Sequence, residues 1–406
     1  MPVTFHKHVL PNGLTVIAET DSDAHTSACG FFVKTGARDE AAPLMGVSHF
    51  LEHMMFKGTE RRSADDVNRE FDEIGANYNA YTSSEMTCFY AGVLPEYLPR
   101  ATDILADILR PALRTEDFDT EKNVILEEIA MYKDNPFWVL YERAMEEYYG
   151  QHPLAFRVLG TDDTIKALHR DQMKGYFDHR YSADNTVVSF AGRVDFDAAV
   201  KDIERLCAHW GRTGADRDAK TPPPFERRFE LKDDKVSRGY LLMVSPGPGS
   251  RDPRRYAATM LTKVLGDADN SRLHWALIDP GTAEEAQAAY EPRDGCGDMY
   301  VYASGDPDKL DEFERLINRE IDALVGSLTE QDLERLRNLI ATGATLAGER
   351  PSGRMQRLGR LWIYNGEYKT LEEELDAINA VTLAGLRATF EAFPFRPRTV
   401  GRMLPK

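Results

Sequence analysis

One segment sets the terms on which this chain can fold. From residue 211 to 224 the sequence is polar, carries Gly211 and Gly214, and ends in Pro222, Pro223 and Pro224. Consecutive prolines lack the N–H that a helix interior or a central strand needs, so residues 211–225 read as a linker. The linker leaves about 200 residues on each side, enough for each to bury its own core. Similar segments then recur in the same order on both sides. Residues 1–210 open with strand-like 14–18 and 28–33, pass through a short apolar helix and a hairpin, and continue in amphipathic helices to about residue 180. They close with a strand at 186–192 and a helix over 195–209. Residues 226–406 repeat this with a strand at 239–244, a helix over 253–265, a strand at 299–303, long helices and an extended 398–403. The expected fold is α+β, with two similar halves, each a mostly antiparallel sheet covered by a layer of helices.

Within the first half, His49-Phe50-Leu51-Glu52-His53 places two imidazoles one helical turn apart, and at about 100° per residue Glu52 falls on the same side. Read backwards, the string is His-Glu-x-x-His, the helix of zinc metallohydrolases with the chain direction inverted. Neutral imidazoles suit Zn²⁺, and one turn matches adjacent corners of a tetrahedron. Glu52 then points at the same place without binding the metal, and can take a proton from water. Two histidines beside a glutamate also arise by chance on a helix surface, so a third ligand is the discriminating feature.

That ligand is sought in the helix-like run from Glu121 to Tyr132, where Val124, Ile125, Leu126, Ile129 and Met131 are expected to form a buried stripe. Glu121 and Glu128 lie two turns apart on one face, and Glu127 is rotated away by about 100°. Glu128 is the candidate third ligand and Glu121 a carboxylate that orients a histidine. Helix glutamates are usually solvated, so this run alone leaves the assignment open. The counterpart stretch in the second half, Tyr256 to Leu265, has no histidine. The expected domains are therefore a zinc-binding half at 1–210 and a metal-free half at 226–406.

Composition narrows the field. A net charge of -17 disfavours nucleic acid and an anionic membrane surface. No apolar stretch approaches the roughly 20 residues of a membrane span. The start, Met1-Pro2-Val3-Thr4-Phe5, has no hydrophobic signal core and runs into strand-like sequence. Cys29, Cys88, Cys207 and Cys296 are scattered without metal spacing. Both features suit a cytoplasmic protein with free core thiols.

The segment Gly75 to Tyr90 alternates small, aromatic and hydroxyl residues and reads as two strands joined by Ser83-Ser84-Glu85. Small residues such as Ala80 leave backbone groups open to an extended peptide, although an ordinary edge hairpin looks the same.

From Gly36-Ala37-Arg38-Asp39-Glu40 through the inverted motif to Phe56-Lys57-Gly58-Thr59, the sequence resembles the pitrilysin-type inverzincin peptidases, the insulinase family, in its short, processing-peptidase-like bacterial branch. The resemblance implies Zn²⁺ held by His49, His53 and Glu128, Glu52 as base, and Glu121 as a recurrent carboxylate. It also implies a hairpin edge that binds substrate by strand addition near Asn79, Ala80 and Thr82. It departs at one point. Active relatives carry, after a Ser-Arg-Leu run, an arginine and seven residues later a tyrosine that hold the substrate. Here Ser271-Arg272-Leu273 is followed by isoleucine and glutamate near those places. Either Arg272 or Tyr290 replaces that grip, or a partner subunit supplies it. The leading expectation is a zinc endopeptidase acting on peptides or unfolded polypeptide, as a homodimer or as a heterodimer with a related subunit. The alternative is a non-catalytic or partner-dependent subunit that keeps the fold and the zinc site.

Overall fold

The structure, a computed structural model, describes residues 3–220, 223–267 and 269–406. The chain forms two compact units, neither contiguous in sequence. The first comprises Met1–Ile129, Phe156–Asp218 and Thr345–Lys369, and the second Ala130–Ala155, Ala219–Ala344 and Thr370–Lys406.

The first unit is built on six strands: β1 (Thr4–Val9), β2 (Thr15–Thr20), β3 (Ser27–Val33), β4 (Asn77–Thr82), β5 (Thr87–Val93) and β6 (Thr186–Gly192), in the order β1-β2-β6-β3-β5-β4. Only β2 and β6 run parallel. β3 reads as a continuous apolar run because both its faces are covered. Cys29, Phe31 and Val33 enter the larger core with the helix Val47–Met55, whereas Ala28 and Phe32 face the helix Pro351–Asn365 through Met355 and Leu358. That second contact is close. A Cβ on Gly359 would stand 2.2 Å from the Phe32 ring, and one on Gly30 2.4 Å from Met355 Sδ.

The second unit repeats the plan with β7 (Arg228–Asp233), β8 (Gly239–Gly247), β9 (Glu285–Pro292), β10 (Gly297–Gly305) and β11 (Thr399–Pro405), in the order β7-β11-β8-β10-β9. Here β7 and β11 form the parallel pair. Strand for strand, β2-β6-β3-β5-β4 corresponds to β7-β11-β8-β10-β9, so the expected pair of similar, mostly antiparallel halves is observed. Leu241 and Met243 enter one core with the helix Arg255–Gly266. Leu242 and Val244 face the helix Pro136–Tyr149 through Leu140 and Ala144.

Four details differ from the expectations. The linker region separates the two sheets in sequence, yet the helices Pro136–Tyr149 and Pro351–Asn365 each cover the sheet formed by the other side of it. Part of the linker is anchored: Arg217 is buried and donates to Asp39 through Nε (2.9 Å) and Nη2 (2.6 Å). Residues 221 and 222 of the expected linker lie outside the described residues. Strands β7 and β9, both sheet edges, were not anticipated: Glu-Ala-Gln-Ala-Ala-Tyr carries little intrinsic strand signal, and the short polar–apolar alternation of Arg-Phe-Glu-Leu-Lys-Asp follows directly on the linker. In the helix Thr115–Lys133 the buried stripe is Phe118, Glu121, Ile125 and Ile129. Val124 and Met131, seven residues apart, share the outward face at 41% and 72% exposure, and Leu126 is half-buried.

Candidate metal centre and substrate edge

The helix Val47–Met55 begins at Gly46, whose φ of 95° lies in the left-handed region and whose missing Cβ makes room for the Leu159 carbonyl at 2.7 Å. No side chain of the helix's own start caps it. Instead the buried Glu40 carboxylate accepts from Gly46 N (2.7 Å) and Ser48 N (2.8 Å), satisfying two of the first-turn donors. Burial pushes the Glu40 carboxyl up to about 8, although those two backbone N–H groups pull the other way. Phe50, fully buried on the inner face, stacks on Phe118 of the glutamate helix with ring centroids 4.8 Å apart. This packing sets the two ligand-bearing helices against each other.

The consequence is a convergence of His49, His53 and Glu128, whose potential donor atoms all lie within 4.8 Å of one another. His49 Nε2 is 3.8 Å and His53 Nε2 3.5 Å from the same Glu128 oxygen. His53 Nδ1 lies 2.8 Å from Glu121 Oε1. A carboxylate only accepts, so Nδ1 carries the proton and Nε2 presents its lone pair towards Glu128. Lys57, at the helix end, sets its ammonium 2.5 Å from the other Glu121 oxygen. Burial opposes the charge on Glu121, but His53 and Lys57 outweigh it and hold the carboxyl below its ordinary range. Burial, and then the neighbouring His53, lowers His49 to about 3, which keeps that imidazole neutral. Burial also acts to lower His53, but Glu121, Glu128 and Glu52 raise it overall.

These residues fit a zinc ion. Ligand atoms about 2.0–2.2 Å from a tetrahedral zinc stand about 3.3–3.6 Å apart, and the two imidazole-to-carboxylate separations need little adjustment. Two imidazoles and one carboxylate leave a fourth position open. The His49 Nδ1 atom is buried without a hydrogen-bond partner, so this ring is held by packing and by whatever its other nitrogen meets.

Glu52 projects beside the group, half-buried, with Oε2 accepting from Thr82 Oγ1 at 2.6 Å. Burial raises its pKa, against the Thr82 hydrogen bond and the nearby His53. Thr82 ends β4, the edge strand. Ser83 N donates to Met86 O at 2.8 Å and closes the hairpin. Counting back along the register, Tyr81, Asn79 and Asn77 exchange ladder bonds with β5, and Tyr78, Ala80 and Thr82 turn their N–H and C=O groups to the free edge. The Ala80 N–H is already met at 2.8 Å by the side-chain oxygen of Asn79. The hairpin tip is pinned from below, where the buried Glu85 takes Arg38 Nη1 at 2.5 Å and its carbonyl accepts from Arg217.

The structure thus brings together His49, His53, Glu128, Glu52, Glu121 and Thr82, with Asn79 and Ala80 on the same edge. Arg272 belongs to the second unit, where it stands 3.5 Å from Glu320 and donates to Ser327. Tyr290, also in that unit, donates to the Pro248 carbonyl at 2.7 Å. Glu40, Lys57 and Arg217 were not singled out as site-building residues. Only Glu40 and Lys57 had a signal, as charged residues close to the motif.

Fold and site together define a duplicated α+β protein in which, among the described residues, one His-His-Glu group is suited to a metal. Residues 15–162 match the family described as Insulinase (Peptidase family M16), and residues 167–340 match Peptidase M16 inactive domain. The chain is 30% identical over 380 residues to the uncharacterized zinc protease YmxG of Bacillus subtilis, across 93% of this chain and 92% of that protein. It is 31% identical over 398 residues to an uncharacterized zinc protease of Streptomyces coelicolor, across 95% and 86%. A solved protease from Helicobacter pylori shares the fold with a TM-score of 0.92 at 19% identity, covering 99% of this chain and 100% of that one. The chain belongs to the insulinase (M16) family of peptidases. Among the described residues no helix is long and apolar enough to cross a membrane.

Proposed function

We propose that the chain is a zinc endopeptidase that hydrolyses peptides or unfolded polypeptide segments. The observation that carries this reading is the convergence of His49, His53 and Glu128 beside Glu52, next to an open sheet edge. His49, His53 and Glu128 would hold the metal, and Glu121 fixes the tautomer of His53. Bound there, zinc supplies a Lewis acid for the attacking water and for the scissile carbonyl. Glu52 takes the proton of that water on its carboxylate and passes it to the leaving nitrogen. The outward N–H and C=O groups of Ala80 and Thr82 pair with an extended substrate, whose carbonyl replaces the Asn79 side chain on the Ala80 N–H.

Changing Glu52 to Gln tests this directly. The variant is expected to bind zinc as the parent does and to lose about 10²- to 10⁴-fold in peptide cleavage, whereas cleavage at the parent rate defeats the reading. A second reading, activity that depends on a partner subunit, is favoured by Arg272, whose charge is already committed to Glu320. A zinc-loaded parent chain that cleaves no member of a peptide library by itself would point there.

A further inference from the structure

Thr82 does two things at once. Its backbone belongs to the outward-facing set on β4, open to an incoming strand, while its hydroxyl donates to Glu52 Oε2 at 2.6 Å. Among the described residues no other side chain hydrogen-bonds to Glu52. A glutamate on a helix has three rotatable bonds between backbone and carboxylate, and the helix backbone restricts only the first of them. The β4 end is a firm platform from which to set the others. Tyr78, two pairs back on the same face, stacks on Phe71 at 4.0 Å, and the connection after Thr82 is closed by Ser83 and held through the buried Glu85. The hydroxyl therefore arrives from a fixed strand and occupies one carboxylate oxygen, leaving the other free to receive a proton.

We propose that Thr82 is a positioning residue that holds the Glu52 carboxylate in the orientation needed for proton transfer, over and above any part its backbone plays in binding substrate. This rests on the reading of the chain as a zinc peptidase with Glu52 as base. Thr82→Val keeps the β-branched shape and both backbone groups, and removes only the hydroxyl. Thr82→Ser restores the hydroxyl. A base displaced by about 1 Å can cost on the order of 100-fold.

The experiment compares three zinc-loaded full chains: parent, Thr82→Val and Thr82→Ser. Zinc content and affinity, peptide kcat and KM, and a crystal structure are measured for each. Thr82→Val is expected to keep the zinc affinity and KM of the parent, to lose about 10- to 100-fold in kcat, and to show the Glu52 carboxylate rotated away. Thr82→Ser recovers most of kcat. The proposal is overturned by an unchanged kcat in Thr82→Val, by a loss expressed only in KM, by a serine variant as slow as the valine one, or by Glu52 unmoved in the valine crystal. The crystallographic comparison decides the point even if the parent alone cleaves nothing, an outcome that would instead favour the partner-dependent reading.

Discussion

Three of the residues that converge at the candidate site were legible from five consecutive letters, because helix geometry alone puts His49, Glu52 and His53 on one side. Glu128 was legible only as a candidate. Its arrival depends on packing across some 75 residues of chain, and no local pattern encodes the Phe50–Phe118 stack that produces it. Lys57 and Thr82 stood out by their place near the motif and on the hairpin edge, but their contacts with Glu121 and Glu52 were not legible. The electrostatics separate the two histidines. His49, lowered to about 3, is neutral at any ordinary pH, so protons compete with zinc chiefly at His53, which its three carboxylate neighbours raise above 6.5. A raised pKa means the imidazole is protonated earlier as pH falls. Zinc affinity should therefore be level at high pH and begin to fall above pH 6.5, by about tenfold per pH unit for the one proton displaced. Glu121→Gln should move that break to lower pH and weaken the plateau affinity by about 10- to 100-fold. Competition with a chelator across about pH 5 to 8 reads both effects, and a break that Glu121→Gln leaves in place would refute the assignment.

At the scale of elements, the strands that sequence reasoning recovered are those with two covered faces or a turn signal, such as β3 and the β4–β5 hairpin. Those it missed, β7 and β9, are edge strands whose register is imposed by β11 and β10. The glutamate helix was located correctly and its buried face only in part, since Val124 and Met131 were counted as core by their type and not by their angle. What joins the two ligand helices is aromatic. Phe50→Ala should cost about 3–5 kcal/mol in unfolding free energy. It should also weaken zinc binding, because the cavity lets the helices shift, whereas Phe50→Leu should cost less on both counts. Denaturant titration with zinc removed separates the stability term, and a Phe50→Ala protein that kept the parent's zinc affinity would show that the helices are held elsewhere.

For the whole molecule, the repeat of strand order was expected and is observed, but the exchange of helices was not. An amphipathic helix records that it needs an apolar surface and not which one, so the residence of the helix Pro351–Asn365 on the first sheet has no local signature. A fragment ending at residue 218 keeps every ligand and the complete first sheet, yet leaves Phe32, Met86, Cys88 and Val187 uncovered. It should aggregate or remain loosely packed when expressed by itself, and become more soluble and better packed when residues 345–369 are supplied as a separate peptide, although the helix Pro136–Tyr149 then still lacks its own sheet. Solubility and near-ultraviolet circular dichroism would decide, with a well-packed fragment needing no peptide counting against the inference.

The same exchange gives the protein a schedule. At about 5–20 residues per second, translation from residue 218 to residue 369 takes roughly 8 to 30 s. Throughout that interval the first sheet has one greasy face still bare, because the helix that covers it has yet to be made. The first unit therefore matures late, when most of its sister unit has already been made. Any chaperone that attends this protein on the ribosome should meet it between those two moments.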